Sequence, residues 1–303
     1  MTVDTGSADA WVLGSDSQCL QLAPNGTTVQ ASRDSCPSGS TTFNYPGKAT
    51  DHGFEVDDSV WFGQSLGAGD TIGTFSYDTM SFPGCGSRRD SLSIPHQEFA
   101  VANTTIGAVL DGFAVGILGF GYPSITYQHP NTLSIDEVLA GNASLFDDRT
   151  AYPTVFESLV AEGMEPYINL ARERTPFDQA QGFEWTLRIQ SLTYTTPYGT
   201  TVTNTTSFQA VVDSGQNLNL LPFEAARDIN AAFDPPATLV ETTGFYTVPC
   251  NATPPTLGVT IANHTFAIHA LDMIWCDEAG TCYSSVVPAT NDAQQGISLE
   301  LPR

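Results

Sequence analysis

Two short stretches place acidic residues where they could do chemistry: Thr2–Gly14 reads TVDTGSADAWVLG, and Val211–Pro222 reads VVDSGQNLNLLP. In each, an apolar strand end leads to an aspartate (Asp4, Asp213), a small hydroxyl residue (Thr5, Ser214) and a glycine (Gly6, Gly215). Apolar residues then resume. A carboxylate at a buried strand end sits in a low-dielectric setting where its pKa can be moved. Two such groups facing one another cannot both ionise, so one keeps a proton while the other stays charged. The charged member can activate a water and the neutral one can protonate a carbonyl oxygen. That is peptide hydrolysis without a metal or a covalent intermediate. Either tripeptide alone is a common turn. The signal lies in the pair, 209 residues apart and one in each half of the chain.

The elements that must hold these turns are mostly strands. Short β-branched and aromatic runs, bounded by Gly, Pro, Asn and Asp, recur at Thr71–Phe82, Phe99–Val109, Phe183–Thr196, Phe208–Val212 and Thr256–Ile268. Helical spacing is scarce. After Pro153, Val155, Phe156, Leu159 and Val160 fall on one face, and Gly163 can end the turn. After Pro222, Phe223, Ala226, Ile229 and Ala232 align in the same way, and a third short helix is expected near Ile135–Leu139. The chain therefore reads as a mainly-β protein of two related halves, residues 1–170 and 171–303, each donating one Asp turn.

Composition removes whole classes of function. Against 33 Asp and Glu there are only 10 Lys and Arg, a formal charge of −23 and a pI near 4.1. Such a surface repels phosphate backbones, so nucleic acid is excluded as a partner. No apolar run is long enough to span a bilayer: the richest, Ile106–Phe120, is broken by Asp111 and glycines and reads as buried strand. The acidity suits solubility, and it also suits work in acid, where most carboxylates are neutral and 10 basic residues cannot build a large positive charge. Six cysteines (Cys19, Cys36, Cys85, Cys250, Cys276, Cys282) form no C-x-x-C pair and no zinc spacing. Six sequons, at Asn25, Asn103, Asn142, Asn204, Asn251 and Asn263, join them in pointing to an oxidising secretory compartment, either secreted or vacuolar.

Other motifs are weaker. GQSLG at Gly63–Gly67 matches a serine nucleophile elbow, but strand and turn follow it where a helix is needed. GAGDTIG at Gly67–Gly73 has the wrong spacing for a dinucleotide loop. The five histidines are scattered with no H-E-x-x-H, so no metal and no cofactor is implied.

On DTGSADAWV (Asp4–Val12), VGILGFGYPS (Val115–Ser124), YPTVFESLVAEG (Tyr152–Gly163) and VVDSGQNLNLLPFEAARDINAAFDPPA, the chain resembles the pepsin-like aspartic endopeptidases of fungal secreted type. The resemblance implies a two-lobed β fold, each lobe a barrel-like set of sheets, with a cleft between lobes that binds an extended peptide. It makes Asp4 and Asp213 the catalytic dyad. Thr5 and Ser214 would lock the two turns together, Gly6 and Gly215 would let backbone approach the carboxylates, and Ser7 would orient Asp4. Trp11 would support a β-hairpin flap, in which Phe62 and Gly63 stand where the family has Tyr and Gly. On that alignment the phenol that would reach the Trp11 indole is gone. Spacing within each half favours Cys19–Cys36 and Cys250–Cys282, the second also following the family. Cys85 and Cys276 are left over. A monomer with a peptide or protein substrate is implied.

Three departures stand out. Gln216 replaces the family's Thr or Ser beside the second aspartate. Only Thr2 and Val3 precede the first turn, and the closing GISLELPR does not resemble the segment that should back Asp213. The chain is thus expected to be cut short at both ends, with the C-terminal strands missing. The function implied is aspartic endopeptidase activity in acid; the alternative is an impaired protease-like glycoprotein that acts as a binding module.

Overall fold

The computed structural model describes residues 1–22, 28–30, 55–66, 69–82, 92–107, 116–132, 137–138, 144–146, 148–162, 186–216, 218–277, 280–289 and 298–300. The chain divides into two units, Met1–Pro166 and Tyr167–Arg303.

In the first unit the strands are β1 (Thr2–Asp4), β2 (Ala10–Leu22), β3 (Thr28–Gln30), β4 (Glu55–Leu66), β5 (Gly69–Phe82), β6 (Leu92–Gly107), β7 (Gly116–Gly119) and β8 (Gln128–Pro130). They join in one sheet of order β1-β7-β2-β6-β5-β4-β8, with β3 paired to β2. Strand side chains alternate between faces, and this sequence uses both. Trp11, Leu13, Phe62, Phe75, Ala100 and Ile117 fill one apolar cluster. Their neighbours Ala10, Phe99, Val101 and Leu118 fill another on the opposite face, together with Val155 and Leu159. Those last two belong to helix α1 (Val155–Ala161), whose Thr154 hydroxyl caps it by accepting from the Glu157 N–H at 3.3 Å. The expected helical face is narrower than its spacing suggested. Val160 is exposed, because a helix of seven residues lying on a sheet buries little more than one edge.

The second unit contains β9 (Thr186–Ile189), β10 (Ser191–Thr195), β11 (Thr201–Asn204), β12 (Phe208–Asp213), β13 (Asn219–Leu221), β14 (Thr238–Leu239), β15 (Tyr246–Thr247), β16 (Thr256–Ile261), β17 (His264–Ile268), β18 (Ile274–Cys276), β19 (Cys282–Ser284), β20 (Val286–Pro288) and β21 (Ser298–Glu300). Helix α2 (Phe223–Ala231) covers a core that includes Leu187, Ile189, Val212, Leu221 and Leu257. Its buried face is Ala225, Ala226, Ile229 and Asn230: Ala226 and Ile229 of the expected row are buried, while Phe223 at the head of that row is exposed. The reason is polar. The Asn230 amide donates to the carbonyls of Ala226 and Val286, both at 2.9 Å, and so ties the helix to β20. Of the expected third helix only Glu137 and Val138 are described, and both are helical.

The two units repeat one arrangement. In the first, β1 runs parallel to β7, which is antiparallel to β2, which is parallel to β6. In the second, β12 runs parallel to β21, which is antiparallel to β13, which is parallel to β20. The strand expected to be missing beside Asp213 is therefore present: Ser298–Glu300 pairs with Val211–Asp213. Three residues suffice, because what β12 lacks at that edge is backbone partners, which any residue type can supply.

Candidate active site

Asp4 is the last residue of β1, and its position is over-determined by backbone contacts. Its carbonyl accepts from the Phe120 N–H at 2.8 Å, while the Gly121 N–H donates to the Ser7 carbonyl at 2.7 Å and the Gly119 N–H to the Asp9 carbonyl at 3.0 Å. Glycines make this approach possible. A Cβ on Gly119 would lie 2.5 Å from the Ala8 carbonyl carbon, and one on Gly116 would lie 2.1 Å from the Trp11 carbonyl oxygen. The turn then satisfies the buried carboxyl itself. The Gly6 N–H donates to Oδ1 at 2.8 Å and the Ser7 hydroxyl to Oδ2 at 2.6 Å. Thr5 is buried beside them.

Asp213 ends β12 in the same way, and the Gly215 N–H donates to its Oδ1 at 2.8 Å. Asp213, Ser214 and Gln216 are half-buried and Gly215 is exposed. The parallel between Gly6–Asp4 and Gly215–Asp213 is the one that the shared Asp-hydroxyl-Gly pattern implies.

The hairpin of β4 and β5 lies beside the first turn. Trp11 is fully buried, and its indole N–H donates to Gln64 Oε1 at 3.0 Å. The polar partner expected to be lost with the flap phenol is thus supplied two residues further on, by an amide. Phe62, which the resemblance put at the family's flap Tyr, is fully buried: its ring lies 6.3 Å from that of Trp11 and 5.8 Å from that of Phe75. Strand alternation puts Phe62 and Gln64 on one face of β4, both buried and both against Trp11, so the ring packs on the indole while the amide takes its N–H. Gly63 is held in the strand, its N–H donating to the Tyr127 carbonyl at 3.2 Å and its carbonyl 2.8 Å from His129 Nε2.

Asp9, Gln64 and Tyr152 are site residues that sequence reading passed over. Asp9 is wholly buried; its Oδ1 accepts from the Tyr152 hydroxyl at 2.8 Å and the Tyr127 N–H at 3.1 Å, and Oδ2 accepts from Gln64 Nε2 at 3.4 Å. Burial pushes its carboxyl up to about 7, against the pull of those two Oδ1 donors and of the Arg149 charge. A signal existed: an acid between two alanines, entering a buried strand, needs partners.

The cysteines are partly described. The Cys282 sulfur lies within bonding reach of both Cys250 and Cys276, with Cα separations of 5.2 and 4.1 Å. A sulfur joins only one disulfide, so these are alternatives. Only the first separation falls in the usual range of about 4.4–6.8 Å. Cys276, left without a partner by its spacing, lies directly opposite Cys282 across β18 and β19. Cys19 is disulfide-bonded, and its expected partner Cys36 lies outside the described residues, as do Cys85, Asn25 and Asn142. The sequons at Asn103, Asn204, Asn251 and Asn263 are exposed.

A family model described as "Eukaryotic aspartyl protease" matches residues 1–158 and 162–297. The chain belongs to that family. Among fungal members, a "Probable aspartic-type endopeptidase" of Aspergillus fumigatus is 44% identical over 94 residues, covering 29% of this chain and 21% of its own length. The "Probable aspartic-type endopeptidase CTSD" of Trichophyton verrucosum is 25% identical over 293 residues, covering 95% of this chain and 51% of its own. This aspartyl protease chain thus spans a fifth to a half of the length of these relatives. The crystal structure of an aspartic proteinase from Irpex lacteus matches with a TM-score of 0.57 at 21% identity, over 97% of this chain and 81% of that one. The fold is pepsin-like and mainly β. Among the described residues, no helix is long and apolar enough to cross a membrane.

Proposed function

We propose that this chain is an aspartic endopeptidase that works in acid, with Asp4 and Asp213 acting together on one water. The observation that carries the reading is the repeated four-strand arrangement, which ends in an aspartate in both units with a glycine N–H 2.8 Å from its Oδ1. One carboxylate takes the water's proton as its oxygen attacks the scissile carbonyl; the other, neutral, protonates the carbonyl oxygen, and a proton then passes to the leaving nitrogen. The pair titrates as a unit, so the roles belong to the pair. Thr5 and Ser214 belong each to its own Asp turn, Ser7 orients Asp4, and the β4–β5 hairpin is the substrate flap, with Gln64 in place of a phenol. The substrate is a peptide or protein. Exposed sequons at four positions and a disulfide at Cys282 support a glycoprotein of the secretory pathway.

The test is cleavage of an unfolded protein from about pH 2.5 to about pH 7, bracketing carboxylate titration. Acid-optimal cleavage abolished by pepstatin, and absent from Asp4→Asn and Asp213→Asn, is the expected result. A folded sample that cuts nothing anywhere in that range overturns the reading, and peptide binding by that sample would point to the binding module. Gln216→Thr adds a graded arm, with an increase in kcat expected from restoring a hydroxyl beside Asp213.

A further inference from the structure

Asp9 takes no part in that chemistry, yet it is the most enclosed carboxyl among the described residues and links two parts of the first unit. Every neighbour that touches its carboxyl is a donor: Tyr127 N–H, Tyr152 hydroxyl and Gln64 amide. The Arg149 guanidinium, 4.6 Å above the Tyr127 ring, adds a positive charge, and Glu98 acts on Tyr152 from β6. Gln64 in turn accepts from Trp11, so a continuous chain runs Tyr152–Asp9–Gln64–Trp11 between the first Asp turn and the hairpin. All of these contacts lie within one unit.

We propose that Asp9 is a positioning residue: as a carboxylate it clamps the β4–β5 hairpin through Gln64, and on taking up a proton it releases Gln64 to Trp11 alone. The chemistry follows from which oxygen is free. Oδ1 already accepts two bonds, so the proton goes to Oδ2, where it competes with the Gln64 donor at 3.4 Å, the longest contact of the set. Hydrogen bonds to a charged acceptor are about twice as strong as to a neutral one, so the Gln64 contact weakens when the charge is lost. The hairpin is then freest in acid, the range in which the proposed dyad works, and held down near neutrality. The consequence for cleavage rests on the proposed function; the coupling itself does not.

The indole N–H of Trp11 reports the coupling without any turnover. In 1H–15N spectra of the whole chain, with that signal assigned from a Trp11→Phe sample, it should shift with pH about a midpoint near 7. The shift should vanish in Asp9→Asn. In Gln64→Ala, loss of a donor to the charged form should move the Asp9 titration upward, read from the Tyr127 backbone N–H signal. A Trp11 signal that stays still between about pH 5 and about pH 8, or that titrates unchanged in Asp9→Asn, overturns the proposal. If Asp9→Asn does not fold, Gln64→Ala decides: a Tyr127 midpoint that does not move sinks it. In the cleavage assay, Asp9→Asn should retain kcat/KM further toward neutrality than the unaltered chain. An unaltered chain that cuts nothing would fail the proposed function and leave the spectroscopic result standing.

Discussion

Asp4 and Asp9 sit five residues apart on one buried loop, and their surroundings differ in a way that sets what each can do. Asp4 accepts short bonds from Gly6 and Ser7 at the end of a strand. Asp9 is wholly buried, so desolvation outweighs its donors and raises its carboxyl from 3.8 to about 7. The stability consequence has a definite sign. A native pKa above the unfolded one gives stability that is fully present below 3.8, declines as pH rises toward about 7 and is flat beyond. The loss is on the order of 4 kcal/mol across that window if nothing else titrates. Asp9→Asn should therefore melt with a shallower pH dependence than the unaltered chain between pH 4 and pH 7. The difference between the two should grow steadily in favour of the variant. Parallel melting curves would mean that Asp9 ionises no differently in the folded and unfolded chain.

At the scale of elements, the loop that holds Asp4 is shaped by close backbone approach, and this can be tested where β7 meets Ala8 and Asp9. Gly119→Ala would place a methyl 2.5–2.6 Å from backbone atoms of Ala8 and Asp9, none of which can swing aside. A loss of about 2 kcal/mol or more in denaturant unfolding is expected, with little change in m-value; an unchanged midpoint would show that β7 shifts at no cost. The β18–β19 hairpin offers a second test. Peptide mapping after alkylation in acid should find Cys250 joined to Cys282 and alkylated thiol on Cys276; a bond from Cys276 to Cys282 as the main species would reverse that assignment. These elements also show what the sequence could and could not reveal. The two Asp turns were legible because each needs Gly in a fixed place after Asp, and the pattern occurs twice. β21 was not, because strand pairing is a backbone interaction and SLE carries no motif. Gln64 was missed because its role depends on the register of β4 against β5, where Gln64 faces Thr71, and register is not fixed by residue types alone. The buried face of α2 was legible at Ala226 and Ile229 but not at Asn230, which counts as polar in any periodicity, yet its amide finds two carbonyls inside.

For the whole molecule the governing quantity is charge. With 33 acidic residues against 10 basic ones, most carboxylates have no cation to meet, and the pairs of Arg227 with Glu224 and Asp228 lie on an exposed helix where they stabilise little. At neutral pH the folded chain therefore repels itself, and added salt should relieve this. The melting temperature at pH 7 should rise between about 0.02 and about 0.5 M sodium chloride, as the screening length shrinks from tens of ångströms to a few. Near pH 4.1, where the net charge vanishes, the same addition should do little. This salt response is separable from the Asp9 effect. Asp9 is walled in by Tyr127, Tyr152 and Gln64, so screening by ions reaches it weakly, and Asp9→Asn should show the same gain with salt at pH 7 as the unaltered chain. A melting temperature indifferent to salt at pH 7 would mean that self-repulsion is not what limits stability there. The decline from pH 4 to pH 7 would then rest on buried groups such as Asp9 alone.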